Sequence, residues 1–123
     1  MRESRLWSLH LASAAALAAL LGLHMTIMHY QSILSVFGGD HAPVLAFASV
    51  AVRDRDAVMR IIYVLLLGFA LYHGLYGTRG ILQEVWASER AGRLINTALV
   101  LLGLGVFIYG VAVIVLAGRH AAM

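Results

Sequence analysis

Three long apolar segments restrict the folds that are open to this chain. They run from Leu6 to Phe37, from Ala57 to Ile81 and from Leu94 to Ala117, and the first and third contain no charged residue. Each is long enough for the roughly 20 apolar residues that an α-helix needs to cross a bilayer. Of the 123 residues, 62% are hydrophobic and 12% charged, with a mean hydropathy of +0.87, which is unlike a soluble protein. The sequence therefore predicts an all-α integral membrane bundle of three transmembrane helices, forming a single domain over residues 1–123.

The first segment has a competing interpretation as a signal peptide. Arg2 and Arg5 precede an Ala/Leu-rich core, which is the order of a secretory leader. The apolar run continues well beyond any plausible cleavage site, so we interpret it as a span.

The connections between the spans are short and polar. Gly38 to Pro43 has the composition of a turn, and Val44 to Val52 is apolar but too short to span, which predicts a short extra helix in the 38–57 loop. Asp56 is the expected N-cap of the second helix, and the stretch 83–93 connects the second span to the third. An excess of arginine on the N-terminal side favours a cytoplasmic N-terminus. The inner arginines are then Arg2, Arg5, Arg79, Arg90 and Arg93, against Arg53, Arg55, Arg60 and Arg119 outside.

Composition excludes several cofactors and partners. The chain has no cysteine, so it cannot hold an iron–sulfur cluster or attach a c-type haem by itself. Its basic residues are scattered singly, and we therefore expect no nucleic-acid partner.

Polar side chains in the first span share one helix face. At about 100° per residue, this stripe holds His10, Ser13, His24, Gln31 and Ser35, and it should face a protein interior or a ligand. Together with Trp7, the residues His10 and Ser13 form a candidate quinone pocket near the membrane surface. The alternative is that these three are ordinary interfacial residues.

The second span contains a candidate haem site at His73. Gly77 and Gly80 share the face of His73 and leave a slot beside it, and Arg79 lies where the span ends. A porphyrin could lie there with its iron on the imidazole and a propionate at Arg79. The alternative is that His73 hydrogen-bonds a neighbouring helix and the glycines only permit close packing.

His24 is a second candidate ligand, but at another depth. It lies about 27 Å along the first span from Leu6, whereas His73 lies about 12 Å along the second span from Ile81. The two imidazoles therefore cannot be the axial ligands of one haem within this chain. Either each ligates a different haem that a partner chain completes, or only one is a ligand. His29, about 140° round the helix from His24, is a third histidine in this region.

The second span resembles a known signature. Tyr72-His73-Gly74-Leu75-Tyr76-Gly77-Thr78-Arg79, followed by Glu84, is similar to the His-x-x-x-Gly-x-Arg pattern with a downstream acid in the membrane-anchor subunits of succinate dehydrogenase and fumarate reductase. The resemblance implies three spans, an axial haem b ligand at His73 and a propionate contact at Arg79. His24 to His29 is similar to the His-x-x-x-x-His of diheme members that use menaquinone, in which the earlier histidine is the ligand. The family's acid is usually Asp, often followed by a tyrosine, whereas here Val85 and Trp86 follow Glu84.

The resemblance gives a functional hypothesis. The chain would be the haem b-binding membrane anchor of a succinate:quinone oxidoreductase (respiratory complex II of the tricarboxylic acid cycle) in an energy-transducing bacterial membrane, holding one or two haems. Its partners would be an iron–sulfur subunit, a flavoprotein subunit, a second membrane-anchor subunit and lipid, with menaquinone the favoured quinone. It would have no catalytic residue of its own. One alternative is the cytochrome b anchor of another membrane dehydrogenase or hydrogenase. The other is a haem-free structural subunit of a membrane complex.

Overall fold

The computed structural model describes residues 2–35, 37 and 56–120, and these residues form three α-helices and no strand. We label them α1 (Arg2–Ser35), α2 (Ala57–Val85) and α3 (Glu89–His120). Each contains a segment long and apolar enough to cross a membrane. The structure thus confirms the all-α, three-helix prediction. The extra helix predicted in the 38–57 loop lies outside the described residues.

The helices extend beyond the apolar segments that identified them. α2 continues to Val85 and α3 begins at Glu89, so much of the predicted 83–93 connection is helical. Gln, Glu, Arg and Ala are good helix formers, and nothing requires a helix to stop where its apolar part ends. Asp56 caps α2 as predicted, because its carboxylate accepts hydrogen bonds from the backbone N–H of Val58 and Met59. Ser88 Oγ accepts from the N–H of Ala91 at 3.2 Å, which caps the first turn of α3.

α2 is the central helix of the bundle. α1 and α3 each pack along it, and within the described helices they do not pack on each other. Only Ser13, Met59 and Ile62 are buried among the residues whose exposure the structure describes. Many large apolar side chains are exposed on all three helices, as expected of helices that contact lipid or other membrane chains.

Two glycines of α3 allow this helix to pack closely against α2. A Cβ at Gly110 would lie 2.5 Å from Cδ2 of Leu67, and one at Gly103 would lie 2.6 Å from Cδ1 of Leu75. Both leucines therefore fill space that only glycine leaves open. A Cβ at Gly105 would meet nothing within 4 Å, so this glycine faces away from α2.

Candidate functional site

The candidate site lies between α1 and α2, where two histidines meet. The rings of His10 and His73 are stacked, with centroids 4.2 Å apart and planes 8° from parallel. Tyr76, one turn further along α2, lies against His10 with ring centroids 5.0 Å apart. The polar stripe predicted on α1 thus does face a protein interior at this level.

Ser13 contacts both members of this histidine pair. Its side chain is the most buried of the described residues, at 2% exposure, and its hydroxyl donates to the carbonyl of His10 at 2.6 Å. His73 Nδ1 lies 3.4 Å from that hydroxyl and 3.4 Å from the same carbonyl. A carbonyl beside Nδ1 favours the tautomer that carries its proton on Nδ1, which leaves Nε2 with its lone pair free. Among the described residues, Nε2 of His73 has no hydrogen-bond partner.

The glycine slot predicted beside His73 is covered at one end and open at the other. A Cβ at Gly77 would lie 3.8 Å from Cε1 of His10, so the histidine ring covers this end of the slot. A Cβ at Gly80 would meet nothing within 4 Å, and the same is true of Gly74, so space stays open at these positions.

Arg79 is engaged by the two other helices. Its guanidinium donates to both carboxylate oxygens of Glu3, at 3.2 and 3.3 Å, and its Nε donates to Asn96 Oδ1 at 2.8 Å. Gln83 donates to the same Asn96 oxygen at 3.3 Å. Arg79 also lies over the ring of Tyr76, 5.7 Å from its centroid. One residue of α2 therefore ties together the ends of α1 and α3.

A groove lies next to this network, between α1 and α3. It has a volume of about 680 Å³ and runs along α2 from Gly68 to Arg79. Tyr72 and Tyr76, whose rings stack 5.9 Å apart, form part of its wall. The Tyr72 hydroxyl donates to the carbonyl of Leu6 at 3.0 Å. His73 does not line this groove, so the groove and the histidine pair are separate features.

His24 lies at a different level from His73, as the sequence indicates. It contacts Tyr63 edge-on, with ring centroids 5.5 Å apart. Tyr63 precedes His73 by ten residues on α2, which corresponds to about 15 Å along the helix. His24 is half-buried and His29 is exposed, which is consistent with the different faces predicted for them.

The three residues of the candidate quinone pocket do not share one environment. His10 and Ser13 pack against His73, whereas Trp7 is 57% exposed. Sequence reasoning missed the stacking of His10 on His73 and the network of Glu3, Asn96 and Gln83 around Arg79. A signal for the network was available, because antiparallel helices bring the start of α1, the end of α2 and the start of α3 to one end of the bundle.

The surroundings of each imidazole bear on whether a haem fits here. Nε2 of His73 has no hydrogen-bond partner among the described residues, and Nδ1 lies beside the His10 carbonyl and the Ser13 hydroxyl. Iron-ligating histidines usually have such a contact at the nitrogen that does not bind the metal. His10 Nδ1 and His24 Nδ1 are buried without a hydrogen-bond partner among the described residues, a costly state inside a membrane unless a further group reaches these rings. The residues present fit one axial position at His73.

The described helices contain no group of three or more His, Cys, Asp or Glu side chains placed to hold a metal ion. Comparison of the chain with protein-family models, with curated proteins and with solved structures finds no match.

Proposed function

We propose that this chain is a haem b-binding membrane anchor of a respiratory oxidoreductase of the succinate:quinone class. It holds half of a haem site at His73, and a second membrane chain supplies the opposite axial ligand. Flavoprotein and iron–sulfur subunits dock on the side where α1 begins, and the anchor helps to pass electrons to a quinone, with menaquinone favoured.

The observation that carries this proposal is the setting of His73. Its Nδ1 faces a backbone carbonyl and the hydroxyl of Ser13, and its Nε2 is free within an apolar helix pair. A histidine in a membrane helix is expensive and is kept for a function. The sequence signature from His73 to Arg79 and the three-helix architecture point to the same class of protein.

Haem b supplies one-electron transfer when it is bound. The task of this chain is then to orient one imidazole and to keep its surroundings apolar. The carbonyl of His10 and the hydroxyl of Ser13 fix the ring of His73, and His10 covers one face of it. A strongly basic imidazole is a better iron ligand, so these contacts would also tune the reduction potential.

Three earlier expectations remain predictions. The contact between Arg79 and a propionate would require Arg79 to exchange its carboxylate partner Glu3. A second, distal haem would be ligated by His24, whose ring now contacts Tyr63. The quinone pocket would have to be completed by another subunit, because Trp7 is exposed, whereas His10 and Ser13 pack against α2.

The test is purification of the intact membrane complex from cells that express this chain with its partners. A reduced-minus-oxidised spectrum and a pyridine haemochrome assay count b-type haem per complex, and the co-purified subunits identify the enzyme. We expect His73→Ala to abolish at least one haem and Tyr109→Phe, at a 72% exposed site on α3, to leave the count unchanged. His24→Ala should remove only a second haem.

Three results would count against parts of the proposal. A complex without b-type bands would reject haem binding and favour a structural subunit. Hydrogenase or other dehydrogenase subunits in the preparation would keep the haem and change the enzyme. One haem per complex that survives His24→Ala but not His73→Ala would remove the distal haem alone.

A further inference from the structure

The groove between α1 and α3 has the form of a lipid site. It is open between α1 and α3, because these two helices form its walls and do not pack on each other. Its polar residues lie at one end, where Glu3, Arg79 and Asn96 meet, and the rest of the wall is apolar or aromatic. The apolar and aromatic lining consists of Leu6, Gly68, Leu71, Tyr72, Leu75, Tyr76, Leu99, Val100, Gly103, Leu104 and Phe107.

The length of the groove matches one leaflet. From Arg79 to Gly68 there are eleven residues of α2, which correspond to about 16 Å of helix axis. Half of the roughly 30 Å hydrocarbon core is about 15 Å. A lipid whose head lies level with Arg79 would therefore place its acyl chain along the whole groove.

A second, shallower cavity of about 420 Å³ adjoins the groove and shares Gly68, Tyr72 and Phe107 with it. Together the two cavities extend the apolar lining along α2 from Arg79 to Val64.

The charge at the polar end favours an anionic head. Five arginines and three glutamates lie where α1 begins, α2 ends and α3 begins, which gives this end a side-chain charge of +2. Basic residues at this level attract anionic lipids. The arginines are Arg2, Arg5, Arg79, Arg90 and Arg93, and the glutamates are Glu3, Glu84 and Glu89.

Glu3 holds the position that a phosphate would take. Its two oxygens meet the guanidinium of Arg79 at 3.2 and 3.3 Å, the paired geometry that arginine also offers to phosphate. The Glu3 side chain is 67% exposed and belongs to the first turn of α1, whereas that of Arg79 is only 23% exposed. The carboxylate can therefore leave with little rearrangement, while Arg79 stays held by Asn96.

We propose that this groove binds one anionic phospholipid, with its phosphate on Arg79 in place of Glu3 and its acyl chains along α2. The groove does not include His73, so lipid binding requires no haem, although the phosphate and the haem propionate proposed above would use the same Arg79.

The test uses the full-length chain in detergent micelles, with dioleoyl phosphatidylglycerol and dioleoyl phosphatidylcholine added separately. Native mass spectrometry counts the lipid that each protein retains. We expect one phosphatidylglycerol to be retained in preference to phosphatidylcholine. Glu3→Gln should increase its retention severalfold, since the competing carboxylate is gone, and Arg79→Gln should abolish the preference.

A pair of tryptophan variants tests the groove itself. Val100→Trp fills the groove, whereas Leu101→Trp, at the next residue of α3, adds the same side chain outside its lining. Both positions are exposed, at 59% and 65%, so neither variant should disturb helix packing. We expect lipid retention to fall severalfold in the first and to stay unchanged in the second.

Several outcomes would overturn the proposal. Equal retention of the two lipids would show that the site does not select an anionic head group. Lower retention in Glu3→Gln would show that the phosphate does not replace Glu3 at Arg79. Retention unaffected by Val100→Trp would place the lipid elsewhere. Displacement of phosphatidylglycerol by a neutral isoprenoid quinone at equal concentration would assign the groove to a quinone.

Discussion

The imidazole rings of His10 and His73 lie in parallel contact, with their centroids 4.2 Å apart, and this contact joins α1 to α2 at the candidate site. The stack leaves Nε2 of His73 without a partner among the described residues and places Nδ1 against the carbonyl of His10. One residue of α1 thus both supports and covers the imidazole that we propose as an iron ligand. The predictions below separate these roles.

Replacement of His10 tests the stack. His10→Phe should keep the ring contact with His73, whereas His10→Ala removes it and should reduce stability by about 1 kcal/mol from the aromatic pair alone. Unfolding of the purified protein by sodium dodecyl sulfate, followed by circular dichroism, measures the difference. Equal stability of the alanine variant and the native chain would show that the stack contributes nothing.

Substitutions at Ser13 distinguish the contribution of its hydrogen bond from that of the close packing around it. Ser13→Ala loses one hydrogen bond and should cost about 0.6 kcal/mol, the average of such bonds inside membranes. Ser13→Leu adds bulk at a site that is 2% exposed and should cost more, about 1–3 kcal/mol, by forcing α1 from α2. The same unfolding assay compares them. A leucine variant as stable as the alanine variant would contradict the close packing at Ser13.

The glycines of α3 should respond to alanine in a definite order. Gly110→Ala is expected to be the most harmful, at about 1–3 kcal/mol, because the new Cβ would lie 2.5 Å from a methyl of Leu67, which does not border the groove. Gly103→Ala should cost less, because the methyl that it meets belongs to Leu75, whose side chain borders the groove and has space to move. Gly105→Ala is the matched control, and should be neutral or stabilising by up to about 1 kcal/mol because alanine favours helix. Any other order in thermal unfolding would reject this account of the α2–α3 contact.

Asn96 should be the residue of α3 that most supports Arg79. Asn96→Ala leaves the Nε of Arg79 and the amide of Gln83 without their acceptor, which should cost about 1.5–3 kcal/mol for the bond to a charged group. Thr97→Ala is the control, because Thr97 is exposed and its hydroxyl bonds only the carbonyl of Arg93 within α3. Unfolding of both variants by sodium dodecyl sulfate measures the loss of stability in each. A loss as large at Thr97 as at Asn96 would refute the role of the network.

The helices and their faces follow from the sequence alone. Three apolar runs longer than a bilayer is thick have to be helices, because each buried backbone polar group then finds its partner within its own segment. The 3.6-residue period placed His10, Ser13 and His24 on one face of α1, and this face does lie against α2. Counting residues along each helix also placed His24 and His73 at different depths. All of these properties are local to one helix, so they need no knowledge of its neighbours.

The contacts between helices were decided only by the tertiary structure. The rotation and distance of one helix relative to another depend on how side chains such as Leu67 fit against Gly110, and no single-helix period contains this information. That fit determines that His10 covers the slot beside Gly77, and that Arg79 meets Glu3 and Asn96 beside a groove. The sequence by itself determined which residues are available at each depth. The packing of three helices decided which of them meet.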